Sequence, residues 1–157
     1  MSHMLEIIKK QNELTALKTR QEIRACNDIS QRFGLVLNDK EIEALMKNRE
    51  EALKRSGRVE FGESILPRLI YAFCDSPYIE QDQYEETLSE LQEAFYYFKS
   101  EALDCYTDDE VIGFMVAIFN GAAQGSIEYL TGTSIDLLCR YARTGWNQDL
   151  DEAGELF

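Results

Sequence analysis

Residues 107–121 read TDDEVIGFMVAIFNG, and the predicted architecture is built around this segment. Nearly every position in residues 111–119 is apolar. A helix that is hydrophobic on all sides is typical of the buried centre of a protein rather than of its surface. Thr107 and Glu110 form a capping-box pattern, in which a hydroxyl and a carboxylate three residues later satisfy free amide groups at a helix start. We therefore predict a buried central helix near residues 108–120.

Helical patterns continue on both sides of this centre. Two further capping-box patterns begin at Thr19 and Asn38, and glycine or proline ends most of the periodic segments. The expected helices, of which 80–104 is the longest, cover residues 19–33 (with 5–17 as a helical lead-in), 38–56, 64–74, 80–104, 108–120, a short segment ending at 130, and 134–144. We predict an all-α, single-domain bundle of about six to seven helices.

The length of 157 residues suits one domain. Residues 1–4 look like the scar of an expression tag with Met4 as the natural start. Residues 5–145 are then the helical domain, and residues 146–157 form an acidic and hydrophobic C-terminal arm. His3, the single histidine, falls in the scar. Without imidazole the commonest general base and most zinc or di-iron sites are excluded, so we expect no enzyme, no metal and no cofactor.

The lengths of the apolar runs and the spacing of the cysteines indicate the cellular compartment of the protein. No apolar run reaches the roughly 20 residues that cross a bilayer, and no signal segment follows the start. The four cysteines are scattered and form no Cys-x-x-Cys pair, so we expect reduced, buried thiols. They are Cys26, Cys74, Cys105 and Cys139. These features predict a cytoplasmic protein.

The net charge of −13 is concentrated in one part of the chain. Residues 75–110 contain 12 acidic side chains and 1 basic side chain, a net charge of −11. Such a segment repels phosphate groups, so nucleic acid and anionic membranes are not expected as partners. It fits a solvated acidic face or a surface for a basic protein.

The helix of residues 80–104 carries a candidate interaction face. Its apolar positions step by three and four residues as a heptad seam, which fits antiparallel packing inside the domain or a coiled coil with a second copy. Carboxylates lie on another face, and two tyrosines flank the seam, where core packing is the alternative to a partner surface. The candidate face consists of Glu86, Glu90, Glu93, Tyr96, Tyr97 and, from the C-terminal arm, Trp146.

A second candidate site is a small polar pocket among the central helices. Asn120 and Gln124 are one helical turn apart in an otherwise apolar region, and Glu128 follows one turn later. Side chains with this spacing share one face of a continuous helix. They are expected to line a pocket for a small molecule or, since buried polar groups must form hydrogen bonds, to serve the structure alone.

Four short segments carry a family resemblance. Residues 58–62 (RVEFG), 72–78 (AFCDSPY), 95–99 (FYYFK) and 124–130 (QGSIEYL) resemble a family of small bacterial proteins that is known only as a domain of unknown function. The resemblance covers about residues 19–145. It implies a bacterial, intracellular protein, and it transfers no activity, cofactor or catalytic residue.

The sequence leaves the function unknown and supports two hypotheses. The first is a non-enzymatic protein–protein interaction or regulatory module that uses the acidic helix face. Its expected partner is a protein, basic in charge, and a homodimer remains open. The alternative is a small-molecule sensor or binding protein with a pocket among the central helices.

Overall fold

The computed structural model describes residues 2–60 and 63–144. Within these residues it contains helices and no strand, which confirms the predicted all-α bundle. The α-helices are α1 (Ser2–Ser30), α2 (Asp39–Ser56), α3 (Leu66–Phe73), α4 (Tyr84–Glu101), α5 (Asp108–Asn120), α6 (Ile127–Thr131) and α7 (Ile135–Thr144). Short 3-10 helices cover Gln31–Phe33 and Gln81–Gln83.

Two helices start where the capping boxes predict. At α2 the Asn38 side chain accepts a hydrogen bond from the Glu41 amide at 2.8 Å, and the Asn38 amide donates to Glu41 Oε1 at 2.9 Å. Thr107 and Glu110 form the same reciprocal pair at α5. Helix α2 ends where Gly57 adopts a left-handed φ of 67°, which glycine enters without a steric penalty. Local chemistry therefore sets these boundaries.

The helix start predicted at Thr19 is wrong. Helix α1 begins at Ser2, so the lead-in of residues 5–17 and the following segment form one continuous helix with Thr19 in its interior. The Thr19 hydroxyl donates a hydrogen bond to the Thr15 carbonyl oxygen at 2.8 Å. A threonine can satisfy its own hydroxyl in this way on the packed side of a helix, so the capping pattern does not mark a start here.

Helix α4 is shorter than the predicted residues 80–104. A 3-10 turn precedes it, and it ends at Glu101. Leu103 and Asp104 then have positive φ values of 54° and 58°, which a right-handed helix does not accommodate. The longest helix of the described residues is therefore α1, with 29 residues, and not α4, with 18.

The heptad seam of α4 is filled by helices of the same chain. Leu88, Leu91 and Phe98 are 0% exposed. Helix α4 packs against α2, α3, α5 and α6. The rings of Phe98 and Phe114 meet edge to face with their centroids 5.5 Å apart. The seam therefore belongs to the core of the domain, and a coiled-coil partner is not needed to cover it.

Helix α5 lies at the junction of α3, α4, α6 and α7. Its residues Val111, Phe114 and Met115 are completely buried, which confirms the predicted central helix. The other side of α5 differs, because Val116 and Ala117 are only partly buried. The central helix is thus covered on most of its circumference and is open on one side.

Candidate functional site

The three carboxylates selected on α4 have different surroundings. Glu86 is exposed and Glu90 is partly buried. Glu93 accepts hydrogen bonds from Arg55 Nη2 at 2.8 Å and from Asn48 Nδ2 at 3.1 Å, so it connects α4 to α2. Partial burial and repulsion from the two neighbouring carboxylates raise the pKa of Glu90. The carboxylates of the candidate face that remain unpaired with α2 are therefore Glu86 and Glu90.

The structure separates the two tyrosines of the candidate face. Tyr97 is 45% exposed, but Tyr96 is 4% exposed and is not part of the surface. The Tyr96 hydroxyl donates a hydrogen bond to Glu60 Oε2 at 2.6 Å, and Arg49 Nε donates to Glu60 Oε1 at 3.0 Å. Burial, followed by the Glu60 charge, raises the pKa of Tyr96. Trp146, the remaining member, lies outside the described residues.

Asn120, Gln124 and Glu128 do not share one helical face. Helix α5 ends at Asn120, and Gln124 lies in the following turn with a φ of 47°, so the continuous helix that their spacing assumes is interrupted. Gln124 and Glu128 are exposed. Asn120 is partly buried, and its side-chain oxygen accepts a hydrogen bond from the Ser76 hydroxyl at 2.6 Å. Asn120 also lines a groove on the open side of α5.

This groove, which we call the α5 groove, was not identified from the sequence. It is an open depression of about 680 Å³ between α3, α5 and α7, and its lining is mainly apolar. Its lining residues are Ala72, Asp109, Ile112, Gly113, Val116, Ala117, Asn120, Gly121 and Tyr141. The sequence feature that could have indicated it is the run of residues 111–119. This run is apolar around the whole helix, so any side that the domain does not bury is an apolar surface.

Small residues form the floor of the α5 groove. Gly113 and Ala117 are four residues apart, so they share one side of α5, and Gly121 follows directly after the last residue of the helix. Tyr141 of α7 packs directly over Gly113, because a Cβ atom at this glycine would overlap the tyrosine hydroxyl. The Tyr141 ring also meets the Phe114 ring with their centroids 6.1 Å apart. The glycine thus allows the close approach of α7 that sets one wall of the groove.

The α5 groove has an acidic end. Asp109 lines it and forms an ion pair with Arg68 of α3, yet the Asp109 side chain remains 78% exposed. The neighbouring Asp108 is paired with Lys99 Nζ at 2.9 Å. The groove therefore combines an apolar floor with a carboxylate that a second charged group can reach.

A smaller and more enclosed cavity of about 290 Å³ lies beside α5, α6 and α7. Its lining is mostly apolar and consists of Ile118, Ala122, Tyr129, Gly132, Thr133, Ser134 and Leu137. This volume is just below the range of roughly 300–1,000 Å³ that ligand pockets occupy. The cavity suits a small molecule, although two of the three residues predicted to line a pocket, Gln124 and Glu128, are exposed.

Residues 2–60 and 63–144 contain no group of three or more His, Cys, Asp or Glu side chains that could hold a metal ion. Nor is any helix in this part of the chain both long and apolar enough to cross a membrane. Cys26 and Cys74 are buried free thiols as predicted, but Cys139 is only partly buried. Cys105 is exposed, because the turn at residues 103–104 carries it away from the packed side of α4.

Together these observations define a class of protein, an all-helical single domain whose central helix presents an apolar groove with an acidic end. The chain belongs to a family of unknown function (DUF6323), whose model matches residues 22–148. The match includes all the residues that line the α5 groove, and it confirms the family resemblance of the sequence. Comparisons with curated proteins and with solved structures found no match.

Proposed function

We propose that this protein is a non-enzymatic interaction module of the bacterial cytoplasm, and that its α5 groove binds an apolar helix of a partner protein. The supporting observation is the open apolar side of α5. Val116 and Ala117 are only partly buried, on a helix whose opposite side is completely buried. Contiguous apolar surface of this kind marks interaction sites in soluble proteins.

The dimensions of the groove fit a helix. From Asp109 to Asn120 it follows eleven residue steps of α5, which corresponds to roughly 16 Å. About three turns of a second helix have the same length. The small side chains of the floor let a second helix approach closely, and an amphipathic helix presents its anchors at positions i, i+3, i+4 and i+7.

The charge around the groove favours a basic partner. The exposed carboxylate of Asp109, which is paired with Arg68, lies at one end of the groove, and the chain as a whole carries a net charge of −13. Exposed charges steer association, and salt screens them. Binding of the partner is therefore expected to weaken as the salt concentration rises.

Photo-crosslinking in the source cell tests this function. The photoreactive residue p-benzoylphenylalanine replaces Val116 in the groove, and Val36, which is 44% exposed between α1 and α2, serves as the matched position. We expect position 116 to crosslink to an apolar helical segment of one protein, and position 36 not to. Equally weak and scattered crosslinks from the two positions would contradict the proposal.

A small-molecule sensor is the alternative function, and the enclosed cavity beside α5, α6 and α7 favours it. Native mass spectrometry of protein from the source cell would then show a stoichiometric extra mass. An Ala122→Phe variant, which places a ring at the cavity lining, should lose that mass. A ligand that binds only the folded state also raises the thermal midpoint. A bare mass for the wild type would exclude this alternative.

A further inference from the structure

Asn120 gives the α5 groove a polar group at the end opposite Asp109. Its neighbours in the lining at this end, Ala117 and Gly121, have no side chain that forms hydrogen bonds. A helix that follows the whole groove therefore passes over one amide group in mainly apolar surroundings.

Ser76 sets the orientation of the Asn120 amide. Ser76 is 6% exposed, and its hydroxyl donates a hydrogen bond to Asn120 Oδ1 at 2.6 Å. Ser76 Oγ also accepts a hydrogen bond from the Tyr78 amide at 3.3 Å. If the Asn120 amide were turned the other way round, the buried Ser76 hydroxyl would lose its only acceptor among the described residues. Because a buried hydroxyl needs an acceptor, the Asn120 oxygen faces Ser76 and the nitrogen faces away from it.

Tyr78 fixes the position of Ser76 relative to α5. A Cβ atom at Gly125 would overlap the Tyr78 side chain, so this glycine lets the loop that contains Tyr78 lie directly against the turn after α5. The ring of Tyr78 also meets the ring of Phe119 edge to face, with their centroids 6.4 Å apart. Packing of the two loops therefore holds the amide of Asn120 in one orientation before any partner binds.

The Asn120 side-chain nitrogen is a free donor. It forms no hydrogen bond within residues 2–60 and 63–144. It is not one of the buried polar atoms that lack a partner, so solvent can reach it in the open groove. A helix that covers the groove removes this solvent. A donor that is buried without an acceptor weakens binding by roughly tenfold to a hundredfold.

We propose that Asn120 determines which helices the α5 groove accepts, and that the bound helix carries one side-chain oxygen in its apolar stripe that accepts a hydrogen bond from Asn120 Nδ2. This inference rests on the proposed function and names the chemistry of the partner. Carbonyl oxygens inside a helix already accept backbone hydrogen bonds, so the acceptor has to come from a side chain. Serine, threonine, asparagine, glutamine, aspartate and glutamate supply such an oxygen. The partner stripe is therefore apolar with one polar residue at a fixed position.

Selection from a displayed library of helical peptides tests this inference. The peptides have about five turns, so they are longer than the groove. Each position of their stripe varies among leucine, alanine, serine, asparagine, glutamate and lysine. The full chain is the bait, and a peptide counts as a groove binder only if Val116→Glu, which charges the groove, abolishes its binding. We expect the wild type to select serine, asparagine or glutamate at one fixed position of the stripe.

Asn120→Leu removes the donor, so the selected residue at that position should become apolar. Replacement of the selected oxygen-bearing residue by alanine should weaken binding to the wild type at least about tenfold, and binding to Asn120→Leu much less. Asn120→Asp is the second variant, because it keeps an acceptor for Ser76 while it replaces the donor by an acceptor. It should select lysine at the same position.

Ser76→Ala tests whether Ser76 positions the amide. Without the hydroxyl the Asn120 amide can turn either way, so this variant should accept peptides with an oxygen or with lysine at the fixed position. Thermal unfolding of each variant verifies that it is folded. If Ser76→Ala changes the thermal midpoint and leaves the selected side chain unchanged, Ser76 does not orient Asn120.

The outcomes separate this inference from the proposed function. Groove binders with only apolar residues in the stripe would overturn the role of Asn120 and leave the helix-binding groove in place. The same polar residue at the same position after selection on Asn120→Leu would have the same meaning. If no selected peptide depends on Val116, both the inference and the proposed function are wrong.

Discussion

At the scale of single residues, Glu60 joins α2 and α4 to the connector that follows α2. Its carboxylate is 15% exposed and accepts hydrogen bonds from both Arg49 and Tyr96. A buried carboxylate is stable only when its oxygens are paired. Glu60 therefore explains why Tyr96 is buried while its neighbour Tyr97 is exposed.

Removal of the Tyr96 hydroxyl should destabilise the protein. Tyr96→Phe leaves Glu60 Oε2 without its donor, and an unsatisfied buried oxygen lowers the free energy of unfolding by about 1–2 kcal/mol. Tyr97→Phe is the control and should change it by less than about 0.5 kcal/mol. Urea denaturation measures both. Equal stability of the Tyr96→Phe variant and the wild type would show that the bond contributes nothing.

Interactions between residues that are three or four positions apart were predictable from the sequence. The capping boxes at Asn38 and Thr107 are examples, because each needs only one turn of chain. The burial of Tyr96 was not predictable, since it depends on Glu60, which is 36 residues away in sequence. The helix start predicted at Thr19 is wrong, because a buried threonine inside a helix can be followed by the same residues as a helix cap.

At the scale of helices, the approach of α7 to α5 depends on Gly113. Gly113→Ala raises helix propensity by up to about 1 kcal/mol, but its methyl group overlaps the Tyr141 hydroxyl. We expect a net loss of roughly 1–2 kcal/mol in the free energy of unfolding, because Tyr141 must move. The loss should be smaller by at least about 0.5 kcal/mol in a Tyr141→Phe background, where the overlapping oxygen is absent.

Urea denaturation of the four proteins in this double-mutant cycle checks the contact. Tyr141→Phe alone is the control for loss of the hydroxyl. If Gly113→Ala has the same effect in both backgrounds, the hydroxyl of Tyr141 does not set the distance between α5 and α7.

Helix positions were predictable from apolar periodicity, but the relation between helices was not. The run of residues 111–119 predicted the burial of α5 and did not show which side would remain open. That side is set by where α3 and α7 pack, which is a tertiary property. The pocket predicted from Asn120, Gln124 and Glu128 assumed a continuous helix, and the chain turns after Asn120 instead.

At the scale of the whole molecule, clustered carboxylates couple stability to pH. Partial burial, followed by neighbouring carboxylates, raises the pKa of Glu85 and Glu90 above the ordinary value of 4.5. A carboxyl whose folded-state pKa is raised binds its proton more tightly in the folded protein. Its contribution to the free energy of unfolding therefore increases as the pH falls from neutrality towards 4.5.

Glu90→Gln should reduce this dependence on pH. At neutral pH we expect the variant to be slightly more stable than the wild type, by less than about 0.5 kcal/mol because solvent screens surface charges. On acidification, the free energy of unfolding should increase less for the variant than for the wild type. Urea denaturation at about pH 7 and pH 5 measures the difference, with Glu101→Gln as the exposed control on α4. A Glu90→Gln variant with lower stability at neutral pH would contradict this assignment.

We propose that the open side of α5 is covered by a helix of a partner when the protein functions in the cell. Hydroxyl-radical footprinting in the source cell measures this cover directly, because the oxidation rate of a side chain follows its exposure to solvent. We predict that Val116 is oxidised much more slowly in the cell than in a single chain of diluted protein, while Val36 reacts equally in both. Equal oxidation of Val116 in the cell and in the diluted chain would contradict the claim.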